Sequence, residues 1–172
     1  MSHLDRLWAG WRNAYIEGLT APSPVRPTTG CVFCSILSSG LPDEETHVLW
    51  REPGARAVAI LNAYPYGSGH LMVMPVRHCA SPEDLAPDEG AAIWQGVADA
   101  VRAVRAAYHP DGLNVGANLG RAAGARIPDH FHMHVLPRWA GDTNFMTAIA
   151  EARVLPETLS TTFAKLRATW PS

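Results

Sequence analysis

Residues 129–138 read DHFHMHVLPR, and three of the chain's eight histidines, His130, His132 and His134, take alternate positions in it. Side chains two apart on an extended chain share a face. The spacing predicts a strand over 130–137, with imidazoles on one side and Phe131, Met133 and Val135 on the other. A row of buried imidazoles is costly to satisfy without a purpose. Two chemistries use such a face. Neighbouring histidines, about 6.5–7 Å apart along a strand, can share a metal ion. Alternatively, one neutral imidazole attacks as a nucleophile while the others fix its tautomer and steady charge.

Outward from this stretch, the pattern predicts alternating blocks of helix and strand. Short apolar runs at His47–Trp50, Ala55–Leu61 and His70–Pro75 read as strands. Turn formers Pro65, Gly67 and Gly69 separate the last two. Pro87 opens a long helix to about 108, in which Ile93, Val97, Val101, Val104 and Tyr108 keep helical spacing. Leu113–Asn118 reads as a further strand, 32–39 as a short helix and Glu157–Thr169 as a final one. Helix, strands, long helix, strands and helix together predict an α+β fold with a largely antiparallel sheet. Residues 1–29 are expected to form a helical extension, with Leu7, Trp8, Trp11 and Tyr15 on its apolar side, followed by a Pro-rich linker; 30–172 form the domain proper.

Composition narrows the function classes. With 172 residues, 47% apolar and 17% charged, the chain can bury a core and is not disordered. A net charge of -2 argues against duplex nucleic acid as the main partner. No apolar run approaches the roughly 20 residues needed to span a bilayer, and no membrane role is expected. The first residues lack the pattern of a signal peptide, so the expected location is cytoplasmic.

Cys31, Cys34 and Cys79 are an odd number of cysteines, which disfavours a disulfide framework. Cys31 and Cys34 at C-x-x-C spacing form a common half-site for zinc, with two buried thiols as the alternative. Cys79 reads as a small apolar residue. The loop GANLGRAAGAR, residues 116–126, leads toward the histidines. It lacks the GK[ST] of a Walker loop, but its glycines can let backbone approach a phosphate and make an anion nest.

The segment HFHMHVL resembles the signature of the histidine triad superfamily. Cys31-Val-Phe-Cys34 resembles the C-x-F-C that opens many members. Leu61-Asn62, Tyr64-Pro65-Tyr66 and Gly69-His70 through Arg77-His78 resemble its central stretch. The flanks LDRLWAGWRNAYI and PRWAGDTNFM are similar to one bacterial branch, the diadenosine tetraphosphate hydrolases and phosphorylases. The likeness runs from about residue 31 to 139.

That resemblance implies a five-stranded antiparallel sheet with helices, and a homodimer with a continuous ten-stranded sheet. It implies nucleotidyl transfer on a nucleotide such as a dinucleoside polyphosphate. His132 attacks the α-phosphorus, His134 assists at the phosphate or leaving group, and His70 orients or charges the pair. Asn118 reaches a phosphate, Gly124 belongs to the phosphate loop, and Asn62 holds the ribose. Cys31, Cys34, His78 and His130 hold a structural zinc ion, which divides the triad between metal and chemistry. The chain departs from the family pattern at Arg126, where many members have glutamine. An arginine there can grip two phosphate oxygens of a longer leaving group or of an inorganic phosphate acceptor. Hydrolysis and phosphorolysis stay open, as do a nucleotide-binding regulator with little catalysis and a metal-dependent hydrolase with its ion on all three histidines.

Overall fold

The computed structural model describes residues 30–142 and 157–171. The extension and linker expected over 1–29 lie outside them. The elements in order are α1 (Val32–Leu37), α2 (Asp43–Thr46), β1 (Val48–Arg51), β2 (Ala57–Leu61), β3 (Leu71–Pro75), α3 (Pro87–Tyr108), β4 (Gly112–Gly116), β5 (Met133–Arg138) and α4 (Leu159–Thr169). Five strands make one sheet in the order β1-β2-β3-β5-β4, with every pairing antiparallel.

Helix α3 shows why the sheet is apolar on both sides. Pro87 starts it with a preset φ, and the Glu89 carboxylate accepts the Ala86 N–H, one of the helix's orphan donors. His109 in the left-handed conformation and Pro110 end it. Its buried side chains recur at helical spacing, from Ala92 and Ile93 through Val97 and Ala100 to Val104. They meet Ala57, Ala59, Leu61, Leu71, Val73 and Val135 on one face of the sheet. A Cβ at Gly96 would lie 2.9 Å from Trp50 and 3.0 Å from Val73, so only glycine lets the helix come this close. A bulge between Val48 and Trp50 turns both Leu49 and Trp50 toward this core. On the opposite face, Phe33 of α1 packs with Val48, Val58, Ile60, Met72 and Met74. Strands β2 and β3 are therefore buried throughout, as their unbroken apolar runs require.

The expected elements are present, with corrections to their bounds. Only Met133–Arg138 of the histidine segment is strand, and His130 and His132 precede it. Strand β3 pairs with β5 no further than Val73↔Met133. Upstream of that point, His130 Nε2–H donates to the Pro75 carbonyl at 2.9 Å, and Phe131 N–H donates to the Cys79 carbonyl at 2.6 Å. These contacts replace a ladder yet keep the backbone extended enough for the three imidazoles to stay on one side. The strand expected over Leu113–Asn118 ends at Gly116, so Asn118 lies in the loop. Helix α2 was not expected: four residues carry no periodicity.

Gly69 takes φ +79° to bring the chain into β3 one residue before His70. A Cβ there would meet Pro137 Cγ and Tyr108 Cε2, both at 3.1 Å. Gly69→Ala therefore combines a left-handed residue, about 1–2 kcal/mol, with overpacking, about 1–3 kcal/mol. The expected loss is about 2–5 kcal/mol of unfolding free energy, read from urea melts.

Candidate functional site

The register places the candidate residues on one face. Ile60 and Met72 belong to the core opposite α3, so Asn62, just past β2, and His70, just before β3, each two residues further along and joined by the Asn62 N–H to His70 carbonyl bond, continue that face. His134 pairs with Met72 on one side and with Gly116 on the other. The face away from the long helix thus carries Asn62, His70, His134 and, just past Gly116, Asn118.

Hydrogen bonds sort the histidines by role. His130 is fully buried. Its Nε2–H goes to Pro75 O, which turns Nδ1 toward Cys31 Sγ at 3.4 Å and Cys34 Sγ at 3.6 Å. His132 Nδ1–H donates to the His130 carbonyl at 2.8 Å, so the lone pair of the neutral ring lies on Nε2. The Tyr66 amide donates to His70 Nδ1 at 3.1 Å, which puts the His70 proton on Nε2. That proton goes to His134 Nδ1 at 3.0 Å and leaves His134 with an Nε2–H donor. The rings of His132 and His134 lie 4.9 Å apart. A ring with its lone pair on Nε2 and a ring with its N–H donor on Nε2 therefore stand side by side. The three triad rings turn to different partners and do not converge on one ion.

Burial keeps these rings neutral. It is the main cause that lowers the pKa of His132, against the opposing pull of its bond to the His130 carbonyl. His134 is pushed down to about 4, by burial first and by His132 second. Its free value is near 6.5. Between pH 6.5 and about 4 the unfolded chain binds the proton that the folded chain refuses, so stability falls as pH falls through that window. Urea melts at pH 7 and pH 5 should differ by on the order of 2 kcal/mol from this group. His134→Asn should remove that part of the difference.

The metal-competent group among the described residues is Cys31, Cys34, His78 and His130, whose ligand atoms all lie within 4.8 Å of one another. Cys34 Sγ is 3.4 Å from His78 Nδ1. Burial, then the adjacent Cys31, raises the Cys34 thiol above its ordinary value, and a cation between the sulfurs relieves both effects. His78 is exposed but firmly mounted. Arg77 before it grips both oxygens of Glu89 at 2.9 and 2.7 Å and also donates to Asp84 O. Cys79 after it accepts the amide of Phe131.

The remaining candidates sit just past β2 and in the loop after β4. Asn62 Oδ1 accepts the Tyr64 amide at 2.9 Å, an Asx turn that orients the side chain. A Cβ on Gly124 would have Asn118 Nδ2 as its nearest neighbour, at 3.9 Å. The amides of Ala123, Gly124 and Ala125 donate to the carbonyls of Gly120 and Arg121. Those three donors are used within the loop, so the expected nest does not include them. Arg126 is exposed at the end of that loop.

Three contributors were missed in the sequence: the Tyr66 amide, the Arg77–Glu89 clamp and Phe33. Only Phe33 had a signal, as the aromatic inside C-x-F-C.

Comparison with known proteins bears on this arrangement. The HIT domain family matches residues 43–141. An AP-4-A phosphorylase of Mycobacterium tuberculosis is 38% identical over 174 residues, covering 97% of this chain and 85% of that protein. A Zn-bound histidine triad family protein from Mycobacterium smegmatis superposes with a TM-score of 0.65 at 28% identity, covering 81% of this chain and 92% of that one. A hypothetical histidine triad nucleotide-binding protein from Sulfolobus tokodaii gives the same score and identity over 81% of this chain and 91% of that one.

Proposed function

The chain belongs to the HIT domain family, and from that premise we propose that it transfers a nucleotidyl group from a dinucleoside polyphosphate, such as diadenosine tetraphosphate, to inorganic phosphate through His132. The carrying observation is the adjacent pair made by the His132 Nε2 lone pair and the His134 Nε2–H. His132 Nε2 attacks the α-phosphorus and an N–P bond forms. The P–O bond to the polyphosphate breaks, and the leaving oxygen keeps the electron pair. His134 donates a hydrogen bond to a phosphate oxygen as charge shifts there. An acceptor oxygen then attacks the same phosphorus, the N–P bond breaks, and His132 returns neutral.

Phosphate as the acceptor is favoured over water by the name of the mycobacterial relative and by Arg126, four residues before His130. Asn62, Asn118 and Gly124 are assigned to the ribose and phosphates. With diadenosine tetraphosphate and phosphate, the expected products are ADP and ATP. AMP and ATP in equal amounts, with or without phosphate, make the protein a hydrolase instead.

We assign zinc to Cys31, Cys34, His78 and His130. Tetrahedral zinc, with Zn–S about 2.3 Å and Zn–N about 2.0–2.1 Å, sets S···N near 3.5 Å, and three of the four S···N pairs lie at 3.4, 3.4 and 3.6 Å. Four protein ligands leave no open position, so the ion holds α1 against the sheet. We also assign a homodimer closed through β4. This edge strand exposes Val115 by 42%, with Leu119 at 51% just beyond. The other edge is blunted by Arg167, which caps the Leu49 carbonyl. No described helix is long and apolar enough to cross a membrane.

A further inference from the structure

His132 is the proposed nucleophile, and one hydrogen bond holds it. That bond, Nδ1–H to the His130 carbonyl, fixes the tautomer. A hydrogen bond tolerates a range of angles, so by itself it restrains rotation of the ring about the Cβ–Cγ bond only loosely. A nucleophile must also hold its angle, because small misplacements at the reacting atom are expensive in rate. The packing around the ring supplies this second restraint. Phe33 meets His132 edge-to-face, with centroids 5.3 Å apart and planes at 66°. It meets His130 in the same manner, at 5.4 Å and 82°. The ring of His134 stands beside His132 at 4.9 Å and 77°. Phe33 is buried, so it has no room to yield. Its own place is set by Cys31 and Cys34, which flank it in sequence and face His130 Nδ1.

We propose that Phe33 is a positioning residue for His132. Held between two metal-ligand cysteines, it fixes the plane of the nucleophilic imidazole with the same ring that packs on His130. The C-x-F-C segment therefore links the metal centre to the reacting ring, and Phe33 itself touches neither phosphate nor leaving group. This inference rests on the proposed role of His132.

Phe33→Leu keeps apolar bulk but removes the aromatic edge; Phe33→Ala removes both. Each variant, loaded with zinc, is compared with the parent by single-turnover nucleotidylation of His132, by kcat and KM, by metal content and by ¹H–¹⁵N spectra of the histidine side chains. Metal content should stay at the parent level and KM within about threefold. The single-turnover rate per folded molecule should drop at least tenfold in both variants. The His132 Nδ1–H signal should be sharp in the parent and averaged in the variants. A Phe33→Leu rate within twofold of the parent overturns the proposal, as does a change confined to KM, which makes Phe33 a substrate contact. If the parent forms no adduct on His132, the proposed chemistry fails. The ring spectra still decide this proposal, because an unchanged Nδ1–H signal in both variants refutes the restraint.

Discussion

Replacing His132 with alanine is expected to lower turnover by at least about 10⁴-fold, the scale set when a covalent nucleophile is lost. The ring is 7% exposed and makes one hydrogen bond, to the carbonyl of His130. Its removal leaves that carbonyl short of a partner and takes one edge contact from Phe33, whose packing with Ile60 and Met72 remains. Folding should survive with a loss on the order of 1–3 kcal/mol. Substrate should still bind, since Asn62, Asn118 and the loop are untouched. A fall in kcat with KM nearly constant, followed by product analysis and circular dichroism, is the expected signature. His134→Ala should give a smaller fall, about 10²–10³-fold, because a donor at the developing charge assists the step without forming the bond.

Changing Cys31 and Cys34 together to serine is expected to empty the metal centre and to lower the thermal midpoint by roughly 10 °C. An ion held at about a thousand times its dissociation constant stabilises the folded chain by about 4 kcal/mol. For a domain of this size, each kcal/mol moves the midpoint by about 2–4 °C. The effect is bounded because the larger core, between the sheet and α3, contains no metal ligand. Elemental analysis should find about one zinc per parent chain and almost none in the variant. Identical midpoints for the two proteins would remove the structural ion from the account.

Much of this was legible in DHFHMHVLPR. Alternation reports where side chains point, so it placed the three imidazoles on one side and Phe131 and Val135 in the larger core. It does not report which group accepts each amide. His130 and His132 therefore read as strand, although here the His130 side chain bonds to the Pro75 carbonyl and the Phe131 amide to the Cys79 carbonyl in place of a ladder. Long apolar runs made β2 and β3 plain, and helical spacing did the same for α3. The tautomer chain from Tyr66 through His70 to His134 was invisible because it begins at a backbone amide, which every residue but proline possesses. The Arg77–Glu89 clamp joins residues 12 apart across a loop, and no periodic pattern encodes such a pair. The glycines of 116–126 promised an anion nest, yet three of the loop's amides close on its own carbonyls, a choice set by loop geometry and not by composition.

The central claim is that His132 becomes covalently nucleotidylated. It is tested most directly by mixing enzyme with excess diadenosine tetraphosphate, quenching within milliseconds in alkaline denaturant, where a phosphoramidate bond persists, and mapping peptides by mass spectrometry. The expected result is an adenylyl group on His132 alone, approaching one per active site and disappearing when inorganic phosphate is present to accept it. Turnover with no adduct on any histidine, or an adduct on His134 or His70 instead, contradicts it.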